Sequence, residues 1–323
     1  MIIVTGGAGF LGSALVWGLN VAGRDDIVVV DNLGHGEKWK NCVNRRFADY
    51  LHKDAFLAAI AGGNDPFGAE AVVHLGACSA TTETDAEYLM RNNVAYSKAV
   101  ARYALTAGAR LIVASSAATY GDGAMGFDDD ADALETLRPL NMYGYSKHLF
   151  DLWARREGVL DRLSSLKFFN VYGPNEYHKG EMRSVVCKSY AQIRKTGRLS
   201  LFKSHRADYP DGGQKRDFLY VKDAVAVVLW LLEHPEAGGL FNIGCGAART
   251  WNDLAAAVFS AMERALAVDY IPMPEAIREK YQYFTEAKMD RLRAAGYDQP
   301  FAALEEGVAD YVKGYLSQPD RYL

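Results

Sequence analysis

Tyr143 and Lys147 form a Tyr-x-x-x-Lys pattern in the middle of the chain. Residues at this spacing lie on one face of a helix. Free tyrosine titrates near pH ~10, and an ammonium group within ~4–6 Å favours its phenolate form. The pair could therefore serve as a general base toward a hydroxyl group. The same spacing is common in exposed helices, so its meaning depends on its surroundings.

A glycine-rich segment near the beginning of the chain, Gly6 to Gly12, has the pattern G-x-x-G-x-x-G. It follows an apolar run and precedes a helical pattern, and Asp31 lies 19 positions after Gly12. Gly6 permits a tight turn, Gly9 leaves room for a pyrophosphate and Gly12 lets helix and sheet pack closely. The helix N-terminus offers N–H groups to phosphates, and Asp31 suits a ribose hydroxyl. The segment predicts a dinucleotide site.

Ser116 lies just past the apolar run 110–114. Ligands of doubly wound sheets bind beyond the carboxyl ends of the strands. A serine there could hold the substrate oxygen that the tyrosine deprotonates. The alternative is a serine that only caps a local turn.

The elements that must position these residues alternate between strand and helix. This alternation predicts an α/β fold with a Rossmann, doubly wound parallel sheet. The second half is less regular and predicts a smaller α/β substrate-binding lobe. The predicted strands are 1–5, 27–31, 71–74, 110–114 and 163–169, with short strands at 219–221 and 240–243 that are candidates for the same sheet; the predicted helices are about 11–22, 83–105, 143–157, 252–266 and 301–316. The predicted dinucleotide-binding domain is 1–169 plus 218–246 and about 280–294, and the predicted substrate lobe is 170–217 plus 247–279 and 295–323.

Composition narrows the class of protein. The 323 residues are 50% hydrophobic, and 36 Lys+Arg against 40 Asp+Glu give a net charge of −4. This balance disfavours nucleic-acid and membrane-surface binding, and no apolar run reaches the ~20 residues of a membrane span. The four cysteines form no C-x-x-C pair and the histidines no H-E-x-x-H, so we expect buried thiols, no metal and a cytoplasmic protein. The acidic run Asp128–Asp130 is expected to be a solvated loop.

Together, these elements resemble the extended short-chain dehydrogenase/reductase superfamily, which contains the sugar-nucleotide epimerases and dehydratases. Further segments narrow the resemblance to the ADP-L-glycero-D-manno-heptose 6-epimerases, over residues 1 to about 316. Gly-Ala-Cys-Ser at 76–79 and His-Lys-Gly at 178–180 are the most specific of them. The others are 31–33, 48–50, 74–75, 92–93, 115–121, 169–174, 215–218 and 292–297.

The resemblance implies a role for each matching residue. The catalytic residues would be Ser116, Tyr143, Lys147 and, as a second acid/base, Lys179. The cofactor contacts would be Gly6, Gly9, Phe10, Leu11, Gly12, Asp31, Asn32, Lys38, Lys53, Leu75, Gly76, Ala77, Cys78, Ser79, Asn92, Tyr143, Lys147 and Val171. The substrate contacts would be Ser116, Asn170, Val171, Lys179, Glu181, Lys188, Phe202, Arg216 and Tyr281.

Some positions depart from the family pattern. Leu75 replaces a usual acidic residue, Glu181 a small hydroxyl residue and Lys188 a histidine, and the loop 203–215 is longer than usual. Arg216 is the main candidate for the substrate pyrophosphate, because its guanidinium fork matches phosphate oxygens. The alternative is an arginine paired with a neighbouring aspartate, Asp217 or Asp223.

The cofactor has two candidates. Asp31 alone favours NAD, because a carboxylate repels a 2′-phosphate. Lys38 and the cations at 40, 45 and 46 could neutralise that phosphate, or could simply lie in a solvated loop. The resemblance implies NADP, which we take as the expectation.

The implied reaction converts ADP-D-glycero-β-D-manno-heptose to its C6 epimer, by oxidation to a 6-keto intermediate and hydride return to the opposite face. It would supply the inner-core heptose of lipopolysaccharide. The resemblance also implies a homo-oligomer, commonly a pentamer. The alternatives are a 4-epimerase of another nucleotide sugar and a cofactor-sensing regulator without activity. A dehydratase is disfavoured, because no carboxylate follows Ser116 in Ser-Ala-Ala-Thr.

Overall fold

The computed structural model describes residues 1–278 and 281–323, and its centre is a seven-stranded parallel sheet. The strands are β1 (Ile2–Thr5), β2 (Ile27–Asp31), β3 (Asp49–His52), β4 (Ala71–His74), β5 (Arg110–Ser116), β6 (Ser164–Phe168) and β10 (Gly239–Ile243). Their order across the sheet is β3-β2-β1-β4-β5-β6-β10. The predicted doubly wound sheet is therefore confirmed.

The central strands are buried on both faces because they are apolar along their whole length. In β1, Ile2 and Val4 pack on one face and Ile3 packs on the other. The winding reverses between β1 and β4, which pair side by side. A crevice opens at this point beyond the carboxyl ends of the strands.

Helices cover both faces of the sheet. They are α1 (Phe10–Val21), α2 (Lys53–Ile60), α3 (Ala86–Leu89), α4 (Tyr96–Ala107), α5 (Met142–Arg156), α6 (Val185–Thr196), α7 (Val221–Glu233), α8 (Trp251–Ala261), α9 (Glu275–Arg278), α10 (Asp290–Ala294) and α11 (Leu304–Tyr311). Helices α1 and α7 contribute to one core cluster, and α2, α4 and α5 contribute to the other. Residues 86–107 form one long helical stretch whose middle, 90–95, has π-helical geometry.

Two small sheets build the rest of the molecule. One contains β7 (Asn170–Tyr172), β9 (Lys215–Tyr220) and β11 (Ala248–Thr250), and the other pairs β8 (Leu199–Phe202) with β12 (Val268–Ile271). Of the two short strands expected in the first sheet, 240–243 joins it as β10. The expectation for 219–221 was wrong, since residues 219 and 220 lie in β9, which pairs with β7 and β11.

The predicted domain boundaries stay predictions. The structure places residues 218–220 in the small β9 sheet, although they were assigned to the dinucleotide-binding domain. Residue 280, at the beginning of the segment expected at about 280–294, lies outside the described residues. Within the described part of the chain, none of the helices combines the length and the apolar character needed to cross a bilayer.

The acidic run Asp128–Asp130 is only partly the solvated loop that was expected. Asp129 is 1% exposed and accepts a hydrogen bond of 2.7 Å from the Asn242 amide of β10. Burial raises the pKa of this carboxyl to about 6. Asp129 thus attaches the loop to β10. Asp128 forms an ion pair with Lys288.

Candidate active site

The Tyr143 phenol and the Ser116 hydroxyl meet at the carboxyl end of β5. Helix α5 begins beside this end, with the Asn141 side chain accepting a hydrogen bond of 2.8 Å from the Gly144 amide. A Cβ at Gly144 would lie 2.6 Å from the Ala118 carbonyl oxygen. The close approach of α5 to residues 117–120 therefore requires glycine, and it brings Tyr143 to Ser116.

Burial governs the charge of the Tyr-Lys pair. It raises the pKa of Tyr143, and a hydrogen bond with Ser116 opposes this rise. Burial also lowers the pKa of Lys147 to about 8, while the charge of Asp151 opposes this fall. Lys147 Nζ donates to the Ala114 carbonyl at 2.8 Å. The expected lowering of the tyrosine pKa by the lysine is not seen in this geometry.

The glycine-rich segment forms a tight turn from β1 into α1. Gly6 has a φ of +67°, a left-handed conformation that favours glycine. A Cβ at Gly12 would lie 2.0 Å from the Gly6 carbonyl oxygen, so helix and turn touch. The Asp31 carboxylate accepts the Ala8 amide at 2.9 Å and fixes the turn to the end of β2.

Residues predicted to contact a cofactor line two adjoining cavities at this turn. The larger, about 390 Å³, is bounded by the turn, by the loop after β4 and by Lys179. The smaller, about 150 Å³, extends it toward Asn32, Lys53 and Asn92. Residues placed at one or both of them are Gly6, Gly9, Phe10, Leu11, Gly12, Asp31, Asn32, Lys38, Lys53, Leu75, Gly76, Ala77, Cys78, Ser79 and Asn92.

Lys179 enters the larger cavity from the second half of the chain. It lies in a 3₁₀ segment, Tyr177–Met182, and its ammonium sits 5.3 Å from the centre of the Phe10 ring. Burial lowers the pKa of Lys179, and the charge of Glu176 opposes this fall. Glu176 is fully buried and accepts hydrogen bonds from Ser184 and from the Gly173 amide. The turn 173–176 thus holds Lys179 in place.

A third cavity, of about 850 Å³, is lined by Tyr143. Ser116, Asn170, Arg216 and Tyr281 line it, together with the loop residues 81–84. A fourth, of about 260 Å³, is lined by Asn170, Val171 and Lys179 among others. The first two cavities share Gly6 and Asp31. The fourth shares Lys179 with the larger of those two and Asn170 with the third, which Tyr143 and Ser116 line.

Arg216 is not paired with an aspartate in the described part of the chain, contrary to the alternative considered above. Its guanidinium donates to the Lys215 and Gln282 carbonyls and lies 5.2 Å from the Tyr281 ring centre. Asp217 instead accepts the Cys245 and Gly246 amides. Burial lowers the pKa of Arg216, and none of the carboxylates among residues 1–278 and 281–323 forms an ion pair with it. A buried cation without a carboxylate suits an anionic ligand.

Comparisons with known proteins agree with this architecture. The model of the NAD dependent epimerase/dehydratase family matches residues 2–244. The chain belongs to this family. A protein named ADP-L-glycero-D-manno-heptose-6-epimerase from Nitratidesulfovibrio vulgaris (strain DP4) is 61% identical over 323 residues, covering 100% of both chains.

Solved structures of epimerases share the fold. The crystal structure of Helicobacter pylori ADP-L-glycero-D-manno-heptose-6-epimerase has a TM-score of 0.81 and 26% identity, over 97% of this chain and 95% of that one. The Thermus thermophilus UDP-glucose 4-epimerase complex with NAD has a TM-score of 0.74 and 25% identity, over 97% of each chain. These likenesses confirm the resemblance that the sequence motifs predicted.

Three predicted substrate contacts of this epimerase-family chain lie away from the cavities just described. Glu181 and Lys188 pair with each other at 3.4 Å, and the Glu181 side chain is 93% exposed. Phe202 ends strand β8 and is half-buried. None of the three lines a cavity described above, and their roles as substrate contacts stay predictions.

Two residues that shape the site, Asn93 and Asn41, were given no role from the sequence. Asn93, fully buried, accepts the Cys78 amide and donates to the Cys78 carbonyl, each at 2.9 Å, and so fixes the loop after β4. Asn41 donates to the Ala8 and Asn175 carbonyls and joins the glycine turn to the second half. Only Asn93 had a signal in the sequence, since it stands next to the predicted contact Asn92.

The described residues contain no group of three or more His, Cys, Asp or Glu side chains arranged to hold a metal ion. His178 lies 3.2 Å from Asn41 Nδ2, and burial lowers its pKa to about 4. It therefore stays neutral and serves as a hydrogen-bonding group of the cavity wall.

Proposed function

We propose that this protein inverts C6 of ADP-D-glycero-β-D-manno-heptose and so forms the L-glycero epimer. The observation that carries the proposal is that Tyr143 and Ser116 together line the 850 Å³ cavity. The 260 Å³ cavity shares Asn170 with it and shares Lys179 with the 390 Å³ cavity at the glycine turn. The full-length likeness to proteins named for this epimerisation supports the choice of sugar nucleotide. The product would supply inner-core heptose of lipopolysaccharide.

The residues of the first two cavities fit a nicotinamide dinucleotide. Side chains at Gly6 and Gly12 would fill the turn, since a Cβ at either would lie within 2.7 Å of backbone atoms. The backbone can therefore approach a pyrophosphate closely, at the N-terminus of a helix that has no acidic residue in its first turn. The chemistry that a bound nicotinamide supplies is the reversible oxidation of a carbinol to a ketone.

Inversion requires this chemistry because the C–H bond of a carbinol is not acidic. A ketone at C6 is planar, so that hydrogen can be restored on either face. Tyr143 would take the proton of the C6 hydroxyl as the ketone forms and return it afterwards. Ser116, hydrogen-bonded to the Tyr143 phenol, would hold the same oxygen and stabilise the phenolate.

Lys147 would assist through its positive charge. Its ammonium lies one helical turn after Tyr143 and is fixed by the Ala114 carbonyl. With a pKa of about 8 it carries its charge at neutral pH. That charge does not lower the pKa of Tyr143 in this geometry, and it would favour the phenolate where substrate binding brings the two groups together.

Lys179 would be the acid/base for the second orientation of the hydroxyl. One phenol cannot reach both epimers, because the hydroxyl points to different sides of the carbon in the two. Lys179 borders both the glycine-turn cavity and the smaller cavity with Asn170 and Val171. Burial lowers the pKa of Lys179, which favours the loss of its proton.

We infer that NADP is the cofactor. Asp31 Oδ1 accepts both the Asn32 amide at 2.7 Å and Lys38 Nζ at 2.6 Å, while Oδ2 accepts the Ala8 amide. The carboxylate is therefore occupied by donors from its own chain. The adjoining Lys38 ammonium offers a positive charge to a 2′-phosphate. The homo-oligomer remains an expectation of the resemblance.

The test is incubation of the purified protein with ADP-D-glycero-β-D-manno-heptose without added reductant, followed by separation of the two C6 epimers. We expect an equilibrium mixture from the wild-type chain. Tyr143→Phe should lower kcat by at least ~10²–10⁴-fold. Tyr145→Phe is the matched control, because Tyr145 is 44% exposed on the same helix, and it should leave kcat near the wild-type value.

Two outcomes would contradict the proposal. Near-normal turnover by Tyr143→Phe would remove the phenol from the mechanism. Failure of wild-type protein carrying bound cofactor to convert this substrate, together with turnover of another nucleotide sugar, would move the activity to a 4-epimerase.

A further inference from the structure

A buried carboxylate that the mechanism has not used lies beneath the Tyr-Lys pair. Asp151 is on α5, one turn after Lys147 and two turns after Tyr143. It is 0% exposed. A buried carboxylate is costly unless it is hydrogen-bonded and lies near a positive charge. Its partners therefore indicate what it does.

Both Asp151 oxygens are hydrogen-bonded to the sheet. Oδ2 accepts from the Ser115 hydroxyl and Oδ1 from the Ser165 hydroxyl, each at 2.6 Å. Ser115 belongs to β5 and Ser165 to the adjacent strand β6. Thus one side chain attaches α5 to two strands at the depth where the site is built.

The attachment involves the same strand that holds the catalytic groups. On β5, Ser115 stands between Ala114, whose carbonyl accepts Lys147 Nζ, and Ser116, which contacts the Tyr143 phenol. A shift of α5 along β5 would separate Lys147 from Ala114 and Tyr143 from Ser116 together. Asp151 opposes such a shift.

We propose that Asp151 is a positioning residue for the epimerisation: it fixes α5 to β5 and β6, and its negative charge keeps the Lys147 ammonium protonated in a buried place. The inference rests on the proposed function only for the role of Lys147. Asp151 lines none of the four cavities described above and does not itself exchange a proton with substrate.

The charges around the pair support this assignment. Asp151 raises the pKa of Lys147 against burial, and Cys78 in the loop after β4 acts in the same direction. His74 at the end of β4 also faces Lys147, and burial lowers its pKa to about 3, so that it stays neutral. The carboxylate that opposes the effect of burial on Lys147 is therefore Asp151 of α5.

Asp151 has other titratable neighbours. Lys167 on β6 is fully buried, and its ammonium lies 4.1 Å from the Tyr120 ring centre without a hydrogen-bond partner in the described chain. His148 on α5 is also buried, and burial lowers its pKa. One carboxylate thus faces two buried lysines, and Lys147 is the one on the same helix as Tyr143.

The test follows the ionisation of Lys147 directly. Protein labelled with ¹³C at lysine Cε is titrated by NMR, and the Lys147 signal is assigned as the one absent from Lys147→Met. We expect the Lys147 midpoint, about 8 in the structure, to fall by roughly one pH unit in Asp151→Asn. The alkaline limb of the kcat profile should move by the same amount. An unchanged midpoint would overturn the proposal.

Two further variants separate charge from attachment. Ser115→Ala with Ser165→Ala removes both hydroxyl donors but keeps the carboxylate, so kcat should fall at every pH without a lower Lys147 midpoint. A Lys147 midpoint that falls by about one pH unit in this double variant, which keeps the carboxylate, would overturn the role of the charge. This arm does not require that Asp151→Asn folds. Asp132→Asn, which loses a surface pairing with Arg155 of the same helix, should change neither quantity.

The NMR midpoint does not depend on turnover. A protein that shows the Asp151 effect but does not epimerise the heptose would retain this inference and lose the proposed function. An active epimerase whose Lys147 midpoint does not shift in Asp151→Asn would retain the proposed function and lose this inference.

Discussion

Lys38 and Asp31 form the ion pair that borders the cofactor-side cavities, and the Asp31 side chain is 8% exposed. The spacing of Asp31 from the glycine turn could be predicted from the sequence, because β-turn-α-β units have nearly fixed lengths. Its pairing with Lys38 could not, since the intervening residues are a loop whose path depends on the whole site. The same holds for Asn93 and Asn41, whose partners lie in distant segments.

The pair leads to a prediction about cofactor choice. Lys38→Met should weaken NADP binding by about 10–100-fold, the effect of losing a hydrogen bond between charged groups of ~1.5–3 kcal/mol. NAD binding should change little. Lys40→Met is the control, because Lys40 pairs with Glu37 on the surface of the same loop.

Calorimetric titration of both cofactors on both variants measures this effect. A clear preference of the wild-type chain for NAD, or an equal loss of both cofactors in Lys38→Met, would contradict the role of Lys38.

At the scale of elements, α5 carries the proposed acid/base pair Tyr143 and Lys147, and the start of the helix fixes where Tyr143 lies. The apolar and polar pattern predicted this helix at 143–157, within one residue of its observed bounds at each end. Its close approach to residues 117–120 was not predicted, because that contact is made between elements separated by a loop. The edge strand β3 was also missed, since its side chains are half-buried or exposed and lack an apolar run.

Gly144→Ala tests this close approach. Alanine normally stabilises a helix by about 1 kcal/mol relative to glycine. Here the added Cβ would lie 2.6 Å from the Ala118 carbonyl oxygen, and overpacking typically costs ~1–3 kcal/mol. We expect the clash to prevail, with a lower Tm and a reduced kcat as Tyr143 moves away from Ser116.

Thermal unfolding and steady-state kinetics on the same preparation measure both effects. Gly62→Ala is the matched control, because its Cβ would meet only Asn64 Nδ2, at 3.9 Å. Gly144→Ala with raised Tm and unchanged kcat would show that α5 tolerates the displacement.

For the whole molecule, a buried polar chain connects the two sides of the sheet crevice. His74 Nδ1 lies 2.6 Å from the Thr5 hydroxyl and its Nε2 lies 2.8 Å from the Ser97 hydroxyl. These hydrogen bonds thus join β1, β4 and α4 beside the glycine turn. The fold class could be predicted from the periodicity of the strands. The hydrogen bonds of His74 could not, because they depend on which strands are neighbours in the sheet, and periodicity does not give that order.

His74 leads to a pH dependence of stability. Burial lowers its pKa to about 3, so between about pH 3 and pH ~6.5 the unfolded chain binds up to one more proton than the folded chain. The free energy of unfolding should therefore fall with decreasing pH, by up to about 1.4 kcal/mol per pH unit from this group. His74→Asn should be less stable at pH 8 and should show a shallower slope between pH 6.5 and 5.

Urea unfolding at several pH values measures the slope. His35→Asn, a change of an exposed loop histidine, should leave the slope unchanged. A slope in His74→Asn equal to that of the wild-type chain would show that His74 is not kept neutral by burial.

The most direct test of the central claim, inversion through a ketone without exchange with solvent, is epimerisation in D₂O. Mass spectrometry and NMR of the product would measure deuterium at C6. We predict no deuterium above background, because the hydrogen removed from C6 stays within the closed site and returns to the same carbon. One solvent deuterium per inversion would instead show that C6 is deprotonated, and would contradict the account.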